Sequence, residues 1–378
     1  MSLSLRESPY LVPTYSLTGD LLAYRRCGLQ YRYYNRGSLP PSRPVQQWFG
    51  EFIHGVMEEG YRVWREDAPS FPWSDERITE IEELIVRRLA ARGLRYRNRR
   101  LLEISQERAR RAINMLGPDL FPLISEAEWP LRSVRQMPAV QPASRAEYYE
   151  VSGVADVLTS VNLQSVAADN LILQALEADP VAAAALARGR EDANYEFEVL
   201  VDYKGMERPA QSSSFAADLR WQLLTYAWLR SREPDARPVI AGVLVFINEL
   251  RPTVNETVEL KRQVEAAPPE TDVLPVGDDA QALAAWRRRN GELELSEAYR
   301  LERALRVIAV TPGDILTGLT QFDATVEAIE TAVSAESRGQ PLHAAWRGTP
   351  NDQTCAVCDW RSVCPDANRR FRGAPAAP

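Results

Sequence analysis

The spacing of apolar positions divides the chain into a helical first part and a mixed second part. In residues 44–66 apolar side chains recur at the spacing of a helix, and residues 16–36 show a helical, aromatic-rich pattern. Residues 76–116 fit two or three more helices. The pattern therefore predicts a helical N-terminal region over residues 1–125.

After residue 125 the pattern changes to that of strands. Apolar and β-branched runs predict strands at 127–134, 146–161, 195–205 and 237–249, with a turn at 144–147. An amphipathic helix is predicted at 214–232, and the alanine-rich stretch 171–192 predicts a helical insertion near 165–193. Helices, strands, a helix and a strand in this order indicate an α/β fold.

The last third of the chain gives a weaker pattern. Residues 260–300 are charged and fit no single element, residues 312–338 predict a helix, and the tail after residue 366 is expected to be frayed. The predicted organisation is a helical region over 1–125, a core over 126–250 and a C-terminal region over 251–378.

Charge and composition exclude some functions. The net charge is −7 and the isoelectric point about 5.3, which argues against a broadly basic nucleic-acid binder. No apolar run is long enough to span a membrane, and the first residues lack a secretory pattern, so a cytoplasmic protein is expected. Residues 81–111 contain ten arginines against four glutamates. This segment could form a solvated helical face, although arginine without lysine favours contact with phosphate.

A carboxylate and an ammonium group lie on one face of the predicted strand 195–205. Side chains alternate along a strand, so Asp202 and Lys204 project to the same side. Asp156 lies in an apolar context in an earlier strand. Two carboxylates from neighbouring strands can hold Mg²⁺, and a lysine beside them can orient a water molecule, which suits phosphodiester hydrolysis. The alternative for Asp202 and Lys204 is a surface ion pair.

Three further side chains fit the same site or a structural role. Gln222 and Tyr226 lie four residues apart on one face of the predicted helix. The alternative is a structural role for both, with a hydrogen bond on the helix face and a tyrosine in the core. His54 follows Gly50 by four residues and could equally be a buried structural histidine. We interpret Glu128, in the strand before Asp156, as an exposed glutamate.

The cysteines form a compact trio and one distant partner. Cys355, Cys358 and Cys364 lie within a few residues of one another, whereas Cys27 lies near the other end. Four thiolates can bind either zinc or a 4Fe-4S cluster, and the spacing alone does not decide between them. The uneven distribution favours a cluster over paired zinc knuckles. Either group would clamp the N-terminal and C-terminal parts of the chain together.

In this order the motifs resemble those of the PD-(D/E)XK nuclease superfamily, specifically its RecB-like branch. The resemblance rests on Gly50-x-x-x-His54, "GVAD" with Asp156, Asp202-x-Lys204 and Gln222-x-x-x-Tyr226. With the cysteines, it is similar to the iron–sulfur nucleases of that branch, the AddB nuclease domain and the CRISPR-associated RecB-like exonucleases. The stretch "SLTGDLLAYRRCGLQYRYY" also resembles the segment that carries their first cysteine, except that Gly28 follows Cys27 where serine or cysteine-proline is expected.

The resemblance implies a restriction-endonuclease-like core, a mixed central sheet flanked by helices, and a metal-dependent DNA nuclease. His54, Asp156, Asp202 and the carbonyl group of Tyr203 would hold magnesium or manganese, and Lys204 would position the water. Gln222 and Tyr226 would steady the metal site and the DNA strand. The cysteines Cys27, Cys355, Cys358 and Cys364 would hold a 4Fe-4S cluster, with zinc as the alternative.

The resemblance also implies partners. The expected substrate is DNA with single strands or free ends, cut as by an exonuclease in repair, recombination or defence. The chain carries no Walker A motif, so it is not itself a helicase, and a helicase or a CRISPR adaptation complex is the expected protein partner. The alternative function is a nuclease-like DNA-binding or architectural subunit of such a complex. A membrane partner is not expected.

Overall fold

The structure is a computed structural model that describes residues 12–36, 45–139, 146–192 and 194–367. The chain divides into two units. The unit that we call the sheet unit comprises Arg43–Trp129 and Val154–Thr311. The other, which we call the terminal unit, comprises Met1–Ser42, Pro130–Gly153 and Pro312–Pro378.

The described residues form seven strands, of which β2 and β3 run from one unit into the other. They are β1 (Thr14–Ser16), β2 (Ile124–Gln136), β3 (Tyr148–Thr159), β4 (Val161–Asn162), β5 (Glu196–Lys204), β6 (Val239–Phe246) and β7 (Leu305–Ala309).

Strand β5 is central to the sheet unit. It pairs antiparallel with the second half of β3 and with β4, and parallel with β6, which pairs antiparallel with β7. All residues of β5 from Phe197 to Tyr203 are buried, the polar Glu198 and Asp202 included. Buried Glu198 is paired with the guanidinium group of Arg230 at 2.7 Å. A central strand covered on both faces needs such partners for its polar side chains.

Nine helices of eight or more residues are described in the sheet unit. They are α1 (Val45–Asp67), α2 (Asp75–Ala91), α3 (Arg99–Leu120), α4 (Leu171–Ala178), α5 (Pro180–Glu191), α6 (Ser214–Arg230), α7 (Val254–Glu265), α8 (Gly277–Ala285) and α9 (Glu297–Ala304).

Short polar side chains fix where several of these helices begin. The side chain of Asn98 accepts a hydrogen bond from the backbone of Leu101 at the start of α3, and Ser213 caps α6. At the start of α7, Thr253 and Glu256 form a reciprocal capping box. These caps pair backbone N–H groups that the first helical turn leaves without partners.

One apolar core joins the sheet of this unit to α1, α2 and α3. Trp48, Phe52 and Val56 of α1 are fully buried in it, together with Ile113 of α3 and Val243 of β6. Because α1 is anchored by this core, its polar residues on the sheet side are held at fixed positions. A smaller cluster that includes Leu283 and Tyr299 lies in the segment after β6.

In the terminal unit the two ends of the chain pack on each other. The helical segment from Leu17 to Arg36 contacts the residues that follow the long helix α10 (Pro312–Ser337). The backbone N–H of Leu29 donates to the carbonyl group of Arg347 at 3.1 Å, and Tyr34 donates to Asp359 at 2.7 Å. In the same unit β1 pairs parallel with the first half of β3.

The expected α/β class, with a mixed sheet and many helices, is confirmed. The strand predicted at 237–249 ends earlier, at Phe246, because Ile247–Leu250 forms a helical turn. Strand β7 was not predicted, since five residues directly after a helix carry little pattern. The predicted turn at 144–147 falls partly outside the described residues, and the tail lies outside them from residue 368.

Within the described part of the chain, no helix combines the length and the apolar character needed to cross a bilayer.

Glu82 of α2 generates a prediction about stability. Its side chain is fully buried, and although Gln106 and Arg110 contact one carboxyl oxygen, the other has no hydrogen-bond partner among the described residues. Burial raises the pKa of Glu82 to about 7. The folded protein therefore holds this proton more tightly than the unfolded chain, so stability falls as the pH rises from about 4.5 to about 7.

We expect Glu82→Gln to raise the melting temperature by about 3–8 °C at pH 8 and by about 1 °C or less at pH 5, because the amide never ionises. Differential scanning calorimetry of both proteins across this pH range measures the difference. Glu83→Gln, at an exposed neighbouring position, is the matched control and should leave both values unchanged. A pH-independent difference for Glu82→Gln would contradict the prediction.

Candidate active site

Two carboxylates face each other across neighbouring strands of the sheet unit. Val157 of β3 lies opposite Val201 of β5, and continuing this antiparallel register by one residue places Asp156 opposite Asp202. Opposed residues on one face of a sheet have side chains in contact distance. Both aspartates are almost completely buried, and the negative charge of Asp156 acts on the carboxyl group of Asp202.

Asp156 is held by two groups from different elements. One oxygen accepts a hydrogen bond from the backbone N–H of Tyr203 at 2.7 Å, and the other lies 3.3 Å from Nδ1 of His54. The remaining nitrogen of His54 lies 3.0 Å from the carbonyl oxygen of Tyr203. Helix α1 thereby brings its imidazole between a carboxylate and a carbonyl group, both of which are oxygen ligands that a hard cation prefers.

Glu128 of β2 joins this group through an unusual backbone conformation. Its φ of +52° lies in the left-handed region, which few residues other than glycine adopt. Its carboxylate lies 4.0 Å from Nδ1 of His54. Ligand atoms of His54, Glu128 and Asp156 all lie within 4.8 Å of one another, and no other trio of potential ligands among the described residues meets this spacing.

Lys204 connects the carboxylates to helix α6. Its ammonium group forms an ion pair with Asp202 and donates a hydrogen bond to Oε1 of Gln222 at 2.9 Å. Nε2 of Gln222 in turn donates to the hydroxyl oxygen of Tyr226 at 3.1 Å. Gln222 and Tyr226 are buried. This chain of contacts fixes the ammonium group at the end of β5.

The local charges shift the protonation of the site strongly. Burial, together with the neighbouring charge of Asp156, raises the pKa of Asp202 to about 7. Although burial opposes it, the carboxylates of Asp156, Asp202 and Glu128 raise the pKa of His54 to about 9. Burial and Asp156 also raise the pKa of Glu128 to about 7. Neighbouring carboxylates contribute to all three shifts, whereas burial adds to the rise at Asp202 and Glu128 and opposes it at His54.

This donor set fits a divalent cation. Two carboxylates, those of Glu128 and Asp156, converge with the imidazole of His54, which also contacts the carbonyl oxygen of Tyr203, and such sets suit Mg²⁺ or Mn²⁺. A bound cation would also balance the negative charge of the carboxylates, which Lys204 and His54 balance without it.

The structure brings together all seven residues that the sequence predicted for this site. Their contacts form two sets that adjoin along residues 202–204 of β5: His54, Asp156 and Tyr203 in one, and Asp202, Lys204, Gln222 and Tyr226 in the other. Their individual roles stay predictions.

Glu128 is the residue that the sequence interpretation left out. Its side chain is 41% exposed, as expected, but it also faces His54. The available signal was Pro130 two residues later, since proline inside a strand indicates a bulge or an edge.

The four cysteines lie in the terminal unit and line one pocket. The pocket holds about 360 Å³ of unfilled space, part of it open to solvent. The backbone N–H of Thr349 donates to Sγ of Cys27 at 3.4 Å, and burial raises the pKa of the Cys358 and Cys364 thiols. Yet no three of these sulfur atoms lie within 4.8 Å of one another. The clamp predicted from the sequence is therefore not shown.

A comparison with known families finds one match. The model of the PD-(D/E)XK nuclease superfamily matches residues 19–160 and 191–365. The residues between these two ranges include helix α4 and most of helix α5. Among curated proteins no sequence matches the chain.

The position of Glu128 generates a prediction about metal binding. We expect Glu128→Gln to weaken the binding of Mn²⁺ by about tenfold, because the variant loses one charged oxygen of the converging set. Titration with Mn²⁺, followed by electron paramagnetic resonance of the free ion, gives the dissociation constant. Glu126→Gln, at an exposed position of the same strand, is the control and should bind Mn²⁺ as the wild type does. Equal affinity in Glu128→Gln and wild type would exclude this residue as a ligand.

Proposed function

Because the chain belongs to the PD-(D/E)XK nuclease superfamily, we propose that it is a metal-dependent deoxyribonuclease that acts on single strands or DNA ends. The observation that carries the proposal is the buried pair Asp156 and Asp202, with Lys204 held beside it by Gln222. A structural protein gains nothing from two carboxylates facing each other in its core, because such a pair repels itself.

The carboxylates would bind the catalytic cation. Asp156, Asp202, His54, Glu128 and the carbonyl oxygen of Tyr203 are the candidate ligands. Magnesium or manganese would supply positive charge to stabilise the phosphate as it is attacked. His54 would have to give up its proton to act as a ligand, since only the neutral imidazole has a free lone pair.

Lys204 would orient the attacking water. Its ammonium group is fixed between Asp202 and Gln222, so it can hold a water molecule in line with a phosphate without reorganising. Tyr226 has its hydroxyl group bonded to Gln222 and would act as a positioning residue for Lys204.

The preference for single strands or ends, and an exonuclease mode, rest on the resemblance to RecB-like nucleases. Duplex unwinding would need a motor, and the sequence contains no Walker A motif. We therefore propose a helicase or a CRISPR adaptation complex as partner, in DNA repair or defence. The alternative is a subunit that binds DNA without cutting it, which would have no use for the ordered Lys204–Gln222–Tyr226 chain.

We further propose that Cys27, Cys355, Cys358 and Cys364 hold a 4Fe-4S cluster. All four line one pocket with room for an inorganic group. A tetrahedral zinc site has Zn–S bonds of about 2.3 Å, which requires sulfur atoms about 3.8 Å apart. No three of these sulfur atoms lie within 4.8 Å of one another, so the choice of a cluster over zinc rests on the resemblance to the iron–sulfur nucleases. Such a cluster would clamp the two ends of the terminal unit.

The nuclease proposal predicts metal-dependent cleavage. We expect the wild type to degrade end-labelled single-stranded DNA with Mg²⁺ or Mn²⁺ but not with chelator. Asp202→Asn and Lys204→Met should each lower the rate at least about 100-fold, because one removes a ligand charge and the other the fixed ammonium group. Gel analysis of 5′-labelled and 3′-labelled substrates measures the rate and the polarity.

Asp278→Asn, at an exposed position on α8, serves as the matched control and should cleave as the wild type does. Folding of each variant is checked by circular dichroism. Undiminished cleavage by Asp202→Asn would refute the assigned site, and a folded, metal-loaded wild type without activity would favour the DNA-binding alternative.

The cluster proposal predicts iron in the purified protein. Anaerobically purified wild type should contain about four iron atoms per chain and absorb visible light. Cys355→Ala should lose the iron and melt at a lower temperature, whereas Ser362→Ala, exposed in the same segment, should retain both properties. Zinc without iron in the wild type would overturn the cluster and leave the nuclease proposal intact.

A further inference from the structure

The segment that joins helix α2 to helix α3, together with the first two residues of α3, carries positive charge that described acidic side chains only partly balance. We call residues 92–100, which include the sequence "LRYRNRR", the arginine loop. We propose that the arginine loop binds the single-stranded DNA substrate, with Tyr96 stacking on a base and Arg95, Arg97 and Arg100 contacting phosphates. This inference rests on the proposed function and specifies where the substrate strand lies.

The first observation concerns which arginines are paired. Arg92 pairs with Glu51 at 2.9 Å, and Arg99 with Glu103 at 3.0 Å. Arg95, Arg97 and Arg100 are exposed and form no ion pair with any residue that the structure describes. Three guanidinium groups within six residues thus remain available to solvent. Guanidinium groups bind phosphate oxygens in a bidentate way.

Two of these positive charges lie where they destabilise the helix that follows. Arg99 and Arg100 stand in the first turn of α3, which contains no acidic residue. Positive charge at a helix N-terminus opposes the helix dipole and costs stability. A bound phosphate backbone would reverse this effect, since it brings negative charge to the same place.

The second observation is an aromatic ring between the arginines. Tyr96 is 38% exposed, and its ring meets the buried Trp48 of α1 edge to face, with centroids 5.5 Å apart. Trp48 is itself stacked on Phe52 at 4.9 Å. The ring of Tyr96 is therefore supported on one side and open on the other. A supported aromatic ring among basic groups is the usual platform for the bases of a single strand.

The third observation links this platform to the candidate active site through helix α1. Helix α1 carries both Trp48 and His54, six residues and about 9 Å apart along its axis. Phe49, next to Trp48, lies so close to Gly205 that a Cβ atom there would come within 3.0 Å of its ring. Gly205 directly follows Lys204. A strand of a few nucleotides that passes over Tyr96 can therefore reach the carboxylates.

A single strand fits these features better than a duplex. Stacking on Tyr96 needs a base whose face is free, and base pairing hides that face. Phosphate contacts by arginine occur with either form, so Tyr96 is the residue that distinguishes the two. The arginine loop thus supports a preference for single strands through this chain's own residues.

The test measures binding in chelator, so that no cleavage is needed. The probes are a fluorescein-labelled 20-nucleotide oligo(dT) and a labelled 20-base-pair duplex, followed by fluorescence anisotropy from 50 to 300 mM salt. We expect the triple variant of Arg95, Arg97 and Arg100 to alanine to bind oligo(dT) about 10–50 times more weakly at low salt. The slope of log affinity against log salt should fall by about 2, since three phosphate contacts are lost.

Tyr96→Ala should weaken oligo(dT) binding by about 5–30 times and duplex binding by less than twofold, whereas Tyr96→Phe should bind both as the wild type does. The matched control replaces Arg188, Arg232 and Arg289, three exposed arginines elsewhere in the sheet unit, with alanine. It loses the same charge and should bind oligo(dT) within twofold of the wild type.

Several outcomes would overturn the proposal. The first is an equal loss of oligo(dT) affinity in the two triple variants. The second is a Tyr96→Ala variant whose oligo(dT) affinity is unchanged or whose duplex affinity falls as much as its oligo(dT) affinity. The third is a folded wild type that does not bind oligo(dT). Failure of the nuclease function is seen separately, as absence of cleavage when Mg²⁺ or Mn²⁺ is added to wild type that binds oligo(dT).

Discussion

The site depends on one electrostatic constraint, the placement of two buried carboxylates directly opposite each other. Asp156 and Asp202 face each other because β3 and β5 pair antiparallel in a register that, continued by one residue, sets them opposite each other. In the poorly hydrated interior of a sheet their repulsion is large unless positive charge lies beside them. Lys204 and His54 provide that charge from two sides.

Much of the surrounding structure serves to hold these positive groups. The apolar core fixes α1 and with it the imidazole, while α6 presents Gln222 to the ammonium group of Lys204. A divalent cation would take over the role of His54 as the partner of the carboxylates. The fold thus places Lys204 and His54 where they balance the carboxylates, and these carboxylates are the groups that we propose bind the catalytic cation.

The sequence predicted the strand that carries Asp202 and Lys204 because alternation along a strand is a local property. It could not predict the conformation of Glu128, since a positive φ at a residue with a side chain depends on the surrounding structure. The early end of β6 at Phe246 likewise had little local signal, because Ile247 continues the apolar run before the polar Asn248 and Glu249.

The arginine-rich segment likewise has one feature that is local in the sequence and one that depends on the surrounding structure. Its charge excess is visible in the sequence, but which arginines are paired is not, because Glu51 and Glu59 of α1 come from a different helix. Only the fold separates the arginines that stabilise the helices from Arg95, Arg97 and Arg100.

The central claim is that the opposed carboxylates form the binding site of a divalent cation. A crystal of the wild type grown with Mn²⁺ tests it directly through the anomalous scattering of manganese. The account predicts a strong anomalous peak within coordination distance of Asp156 and Asp202. A map with no peak there, or with a peak only elsewhere on the protein, would contradict the account.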